Sequence, residues 1–233
     1  MNQGLYSGVS AMAGAERRLD VIAHNLANLG TTAFKRQESF TRSLDSATLH
    51  GRRRDIAVRA LVDFTQGGLR RTGNPTDLAL MGAGWFAAEG PRGEVYTRAG
   101  NFHVDGKGEL LTGDGYPVAW AVRDGAIEPA GESLLIDGEG VVRQGDRVIG
   151  RLRLVNFERP DQMRQDARGY WNAPRGLREA AHEAVVHQGT LEQSNAVATD
   201  EMIQLIELQR SFESAATLVR SVDESYQRLL QRR

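Results

Sequence analysis

Both ends of this chain carry long amphipathic stretches, and that bracket limits the folds open to it more than any other feature. From the N-terminus, Leu5, Val9, Met12, Leu19, Ala23 and Leu26 follow the alternating four-three spacing of a coiled-coil seam, with Glu16 as the one polar interruption. Gly8, Ala15, Ile22 and Leu29 form a second line beside it. About 25 residues predict a rod of roughly 37 Å. From about residue 196, Met202, Leu205, Phe212, Ala216, Val219, Tyr226 and Leu230 repeat the spacing, with Gln209 and Asp223 as polar seam positions. Leu208, Ala215, Val222 and Leu229 flank them. Asp200 and Glu201 favour the helix start and Arg228, Arg232 and Arg233 its end.

The width of these faces matters. A two-stranded coiled coil needs only a narrow seam, about two residues in seven. Each stretch has an extra apolar line, so pairing the two termini leaves apolar surface uncovered. Either the middle of the chain covers it, or other copies or relatives of the chain do. Polar Gln209 and Asp223 within the seam suit register-setting in an assembly.

Between the helices the texture changes twice. Residues 37–66 are mixed and Arg-rich, with Gly51-Arg52-Arg53-Arg54-Asp55 at their centre, and read as a linker or extended arm. From Gly67 to about residue 190, short alternating segments are punctuated by glycine, which numbers 26 in 233 residues. Asp105-Gly106, Asp114-Gly115, Asp124-Gly125 and Asp137-Gly138 are hairpin signals, with Gly expected to supply the positive φ. The expected fold class is therefore α+β: long terminal helices pairing as a coiled coil, with an inserted antiparallel all-β domain of sandwich or barrel type. The expected divisions are residues 1–36 with 191–233, residues 37–66, and residues 67–190.

Composition narrows function by exclusion. A net charge of −1 shows no excess that would draw the chain to nucleic acid or a membrane surface. With no cysteine there can be no disulfide, thiolate nucleophile or sulfur metal site. No run approaches 18 apolar residues, and Met1–Ser10 lacks the pattern of a cleavable signal. His24, His50, His103, His182 and His187 are scattered. Asp105–Glu109 lacks the alternating carboxylates of a calcium loop and reads as a turn. Gly82-Ala83-Gly84 precedes a strand, so it is no dinucleotide cradle. Ser194 has no nearby His and sits where a helix cap is useful. No enzyme and no cofactor is expected.

Three blocks carry a family resemblance. Asn25-Leu26-Ala27-Asn28, Thr31 and Phe34-Lys35 resemble the N-terminal signature of bacterial flagellar rod and hook proteins. Gln188-Gly189, Leu191-Glu192, Ser194-Asn195, Glu201-Met202 and Gln209-Arg210 resemble the partner signature at the C-terminus. Residues 65–102 and 105–118 are similar to the β domain shared by rod and hook subunits. Two departures stand out. Ala33 occupies a position where the family usually has Gly before the aromatic, with Gly30 as a candidate substitute, and Val197 is delayed behind Ala196 where the family reads Ser-Asn-Val.

The resemblance implies a structural rod subunit with no catalytic, metal or cofactor residues. Its partners would be copies of itself and other flagellar rod proteins, in the periplasmic part of the basal body. It would leave the cytoplasm through the flagellar type III export apparatus, and Phe40 and Leu44 fit that system's loose recognition pattern. The implied subunit-interface residues are Leu5, Val9, Met12, Leu19, Ile22, Asn25, Leu26, Asn28, Thr31 and Phe34, then Ser194, Asn195, Met202, Leu205, Gln209, Arg210, Phe212, Val219 and Tyr226. The short stretch between Lys35 and Gly67 favours the proximal rod subunit, with the distal one as runner-up. A ligand-binding β domain on helical tethers, or a phage-tail or needle-type subunit, are rival classes. For Asn25 and Asn28 two readings stay open: polar contacts to backbone at a junction, or local capping of the helix end.

Overall fold

The structure is a computed structural model that describes the backbone of residues 2–48, 51–181 and 183–231. Side chains are described for residues 12–40, 60–181, 183–221, 224 and 227. The chain forms two compact units: residues 1–29, 36–63 and 196–233 make one, residues 30–35 and 64–195 the other.

In the first unit the terminal helices form as the apolar spacing predicts. Helix α1 spans Asn2–Ala27 and α2 spans Ala198–Gln231. They run antiparallel, because Leu26 and Leu205 join the apolar cluster at one end while Ala15, Leu19, Phe212 and Glu213 line a common groove further along. The buried line differs from the expected seam. Ala15, Ile22 and Leu208, which the spacing places in the flanking lines, are the buried members, whereas Leu19 and Met202 are 44% and 55% exposed. Leu26 and Leu205 of the expected seam pack against this cluster, while Leu19 and Met202 of the same seam turn outward.

Within residues 37–66, read as a linker or extended arm, residues 37–48 and 51–62 form the two strands of a long β-ladder. Strand β1 (Gln37–Thr48) pairs antiparallel with β2 (Gly51–Val62), in register from Gln37 opposite Val62 to Thr48 opposite Gly51. Ile56, Val58, Ala60 and Val62 do alternate, but the arginine run before them and the polar β1 obscure the period.

The second unit holds the β domain. All its described ladders are antiparallel: a six-stranded sheet, a four-stranded sheet and three two-stranded ribbons. The six-stranded sheet is centred on Trp85–Gly90 and Gly93–Thr97, and the four-stranded one on Val141–Gln144 and Arg147–Leu152. The main apolar core holds Leu78, Leu80, Phe86, Leu110, Val142 and Ile149, fully or almost fully buried, and Ala88, Val95 and Tyr170 form a further cluster.

The turns correct the expected mechanism of the Asp-Gly pairs. Of the four expected glycines only Gly115 has positive φ. Asp105, Thr112, Asp137 and Asp166 each open a turn whose positive-φ residue is the glycine three positions later: Gly108, Gly115, Gly140 and Gly169. In each, that glycine's N–H donates to the carbonyl of the opening residue, at 2.9–3.1 Å. This is a type I turn followed by a left-handed residue. The opening side chain completes it: Asp105 Oδ1 accepts from the N–H groups of Lys107 and Glu109 at 2.9 and 2.8 Å. Those N–H donors hold the Asp105 carboxyl below its ordinary pKa. Asp137 and Asp166 repeat the pattern with Glu139 and Val141, and with Arg168 and Tyr170.

Gly108 tests this. At φ +79° an added Cβ would also lie 2.0 Å from the Ile127 carbonyl oxygen, while at Gly106 nothing lies within 4 Å. Gly108→Ala is expected to cost more than about 2 kcal/mol, and Gly106→Ala to stay within about 1 kcal/mol of neutral. Urea unfolding of the two variants checks the contrast.

Candidate functional site

The residues of the two terminal signatures do their work in two separate places, one in each unit. In the helical unit, Asn25 is 1% exposed near the end of α1. Its amide makes two bonds to one residue of β1: Nδ2 donates to the Gln37 carbonyl at 2.8 Å, and Oδ1 accepts from the Gln37 N–H at 2.9 Å. A primary amide mimics a peptide group, so Asn25 acts as a rung that ties the hairpin base to the helix. Aspartate could not donate the first bond. Asn28 does the other job, with Nδ2 donating to the His24 carbonyl at 2.9 Å and so capping a last-turn carbonyl. The two readings of the asparagines therefore divide between them.

Next to this rung, the Arg36 guanidinium donates to Glu201 on α2 at 2.5 Å and to Glu38 at 2.8 Å. The Asp63 N–H donates to the Arg36 carbonyl at 2.8 Å and closes the hairpin base. Glu201 is fully buried, and its hydrogen bond to Arg36 raises the Arg36 pKa above the ordinary value. The base of the hairpin is thus fastened to both helices.

In the β unit, residues 30–35 lie along the C-terminal signature. The Ala33 N–H donates to the Glu192 carbonyl at 2.9 Å, and the Asn195 N–H to the Phe34 carbonyl at 3.3 Å. Phe34 is 6% exposed. Below it, Lys35 Nζ meets Glu192 Oε1 at 2.7 Å, with side-chain exposures of 2% and 0%. Lys35 also donates to the Thr65 carbonyl at 2.7 Å, and the Gly67 N–H to Glu192 Oε1 at 3.0 Å. Gly67 is required by this approach, since a Cβ there would stand 2.0 Å from the Gln193 carbonyl oxygen. Arg98 stands 3.5 Å from the other carboxylate oxygen, donates to the Gly82 carbonyl at 2.7 Å, and lies over the Trp85 ring. Burial lowers the Arg98 pKa, against the pull of Glu192.

Of the expected interface residues, Ile22, Leu26 and Leu205 come together inside the helical unit. Met202, Gln209, Arg210 and Phe212 are exposed on α2, and Leu19 on α1. Met12 and Val219 are half-buried, Thr31 is exposed, and Ser194 and Asn195 are half-buried. Asn195 donates to Thr65 through Nδ2 at 3.1 Å. Ser194 precedes the first residue of α2 by four positions, so it is not that helix's cap. Phe40 is 56% exposed; the side chains of Leu5, Val9, Leu44 and Tyr226 lie outside the described residues. Sequence reasoning passed over Lys35, Arg36, Arg98, Glu192 and Glu201. The signal was that Lys35, Arg98, Glu192 and Glu201 are charged residues inside the three blocks, with Arg36 directly after the first. Among the described residues no three His, Asp or Glu side chains could hold a metal ion, and no helix is long and apolar enough to cross a membrane.

Comparison with known proteins matches these same blocks. Residues 5–35 fit the family "Flagella basal body rod protein", residues 79–144 "Flagellar hook protein FlgE/F/G D1 domain", and residues 187–232 "Flagellar basal body rod FlgEFG protein C-terminal". The flagellar basal-body rod protein FlgF of Caulobacter vibrioides is 35% identical over 236 residues, covering 94% of this chain and 93% of that protein. The chain belongs to the flagellar basal-body rod proteins. FlgF of Mesorhizobium japonicum is 33% identical, covering 97% of this chain and 95% of its own length. FlgG of Bacillus subtilis is 30% identical, with coverage of 99% and 98%. This rod protein is a structural subunit of the flagellar basal body and not an enzyme.

For a rod protein, the departure at Ala33 now has a physical meaning. Ala33 itself takes the left-handed conformation, at φ +55°, as the one non-glycine with positive φ among the described residues, and Gly30 does not replace it. An alanine there costs about 1 kcal/mol against glycine. Ala33→Gly is expected to stabilise the chain by about 0.5–1 kcal/mol, read as a higher urea midpoint at unchanged slope. The buried charges give a second expectation. Glu192→Gln strands two cations and is expected to cost about 3–5 kcal/mol. Lys35→Met leaves Glu192 with Arg98 and should cost less. Equal losses in the two variants would contradict the shared role of Glu192.

Proposed function

We propose that this chain is the proximal rod subunit, whose terminal helices assemble with copies of itself and other rod proteins into the hollow shaft that transmits torque. In this reading residues 1–36 and 191–233 form a coiled-coil inner layer, residues 67–190 an outer layer, and residues 37–66 an arm between them. The observation that carries it is the apolar surface left open on the helices. Leu19, Met202, Ile203, Ile206, Phe212 and Leu218 are each at least 37% exposed. Apolar stripes of this kind mark an interface with another protein.

The short form of the chain supports the proximal position. The Bacillus subtilis FlgG match runs over 264 aligned positions against 233 residues here, while the Caulobacter vibrioides FlgF match runs over 236. The former needs more gaps, as expected of a relative with a longer connecting segment. Export through the type III apparatus, with Phe40 and Leu44 as the recognition pattern, completes the reading. A shaft assembled from exported chains requires helices whose apolar faces are covered only on docking.

Labelling the chain in purified basal bodies tests the assignment. The label is expected between the inner-membrane ring and the distal rod. Label against the base of the hook would assign the distal position instead, and absence of label from the rod would overturn the proposal.

A further inference from the structure

The groove between the two helices has an open apolar floor and an acidic rim. Ala15, Glu16 and Leu19 of α1 and Leu208, Gln209, Phe212 and Glu213 of α2 enclose about 510 Å³. Leu19 and Phe212 remain 44% and 37% exposed in it. Among the described residues, the charged side chains that line it are Glu16 and Glu213, both carboxylates and both exposed. A ligand for such a groove is an apolar helix surface carrying cations. The chain supplies one itself: Leu229 and Leu230 lie between Arg228, Arg232 and Arg233, with no acid after Glu224.

The antiparallel packing keeps that segment away from its own groove. Ile22 and Leu208 share a cluster, so counting twenty residues outward from each puts Asn2 level with Arg228. The last turn of α2 therefore lies at the free end of the helix pair. The groove sits about 18 residues back along α2, roughly 27 Å at 1.5 Å per residue. One copy cannot fill its own groove.

Resting on the rod reading above, we propose that this groove receives the C-terminal end of a second copy of this chain: the Arg228–Gln231 turn of α2 with the Arg232 and Arg233 that follow it in sequence. Leu229 and Leu230 cover Leu19 and Phe212, and the arginines face Glu16 and Glu213. The contact is heterologous: groove on one copy, helix end on the other. Such a contact repeats in one direction and builds an open helical array rather than a closed dimer. It also explains why Glu16 interrupts an otherwise apolar seam.

The absence of cysteine in the natural chain makes the test direct. Two tagged copies, one carrying Leu19→Cys and the other Leu229→Cys, are expressed together in cells lacking the native gene, and purified basal bodies are oxidised. A disulfide between the two tags is expected; within one copy the separation far exceeds the roughly 7 Å between Cα atoms that a disulfide tolerates. Rods that contain both copies but form no mixed disulfide, or only Leu19→Cys pairs, overturn this contact while leaving the rod assignment standing. Absence of both tags from basal bodies overturns the rod assignment and this contact with it. Independently, Glu16→Arg with Glu213→Arg should lower incorporation into rods at least tenfold. Adding Arg228→Glu and Arg232→Glu should restore it, and failure of that charge reversal to restore incorporation counts against the proposal.

Discussion

Glu192 is the residue on which the β unit closes. Its carboxylate is fully buried and faces Lys35, Arg98 and the Gly67 N–H at once. Lys35 and Glu192 are 157 residues apart in sequence. A buried charge left without its partner costs several kcal/mol, so neither block is stable in place until the other arrives. The N-terminal and C-terminal signatures of the family are in this sense two halves of one ion pair. That dependence makes closure of the unit cooperative.

The helical unit uses a different solution to the same problem. Among the described residues its buried apolar cluster is Ala15, Ile22 and Leu208, with Leu26 and Leu205 packed against it. Polar fastenings at the hairpin base add to it: the Asn25 amide holds Gln37, and Arg36 holds buried Glu201. These fix where the helices cross without consuming their wider apolar faces. The faces then remain available, with Leu19, Met202 and Phe212 turned outward. A helix pair that buried its best seam internally would have less left for assembly.

The turns show how far a local signal can be right in place and wrong in mechanism. Asp-Gly pairs do mark three of the hairpin turns, those opened by Asp105, Thr112 and Asp137. The left-handed residue, however, is the glycine three places after the opening side chain, in four turns of one kind. The carboxylates of Asp105, Asp137 and Asp166 are engaged by their own turn N–H groups. That engagement is the structural reason these acidic turns are turn residues rather than cation ligands.

Periodicity and turn chemistry determined much of this protein. The two terminal helices, the antiparallel β domain and most of its strands follow from apolar spacing and glycine placement, which act over a few residues. Three ordered motif blocks resemble those of the rod family in the sequence itself. Tertiary structure alone decided which apolar residues are buried, since each helix carries two apolar lines and the crossing geometry chooses between them. It also decided that residues 37–48 and 51–62 pair as strands, that Asn25 reaches Gln37 while Asn28 caps its own helix, and that Ala33 takes a positive φ. Above all it revealed Lys35, Arg98 and Glu192 as one buried node. Hydropathy places charges at the surface, and only the fold can show that charges distant in sequence neutralise one another inside.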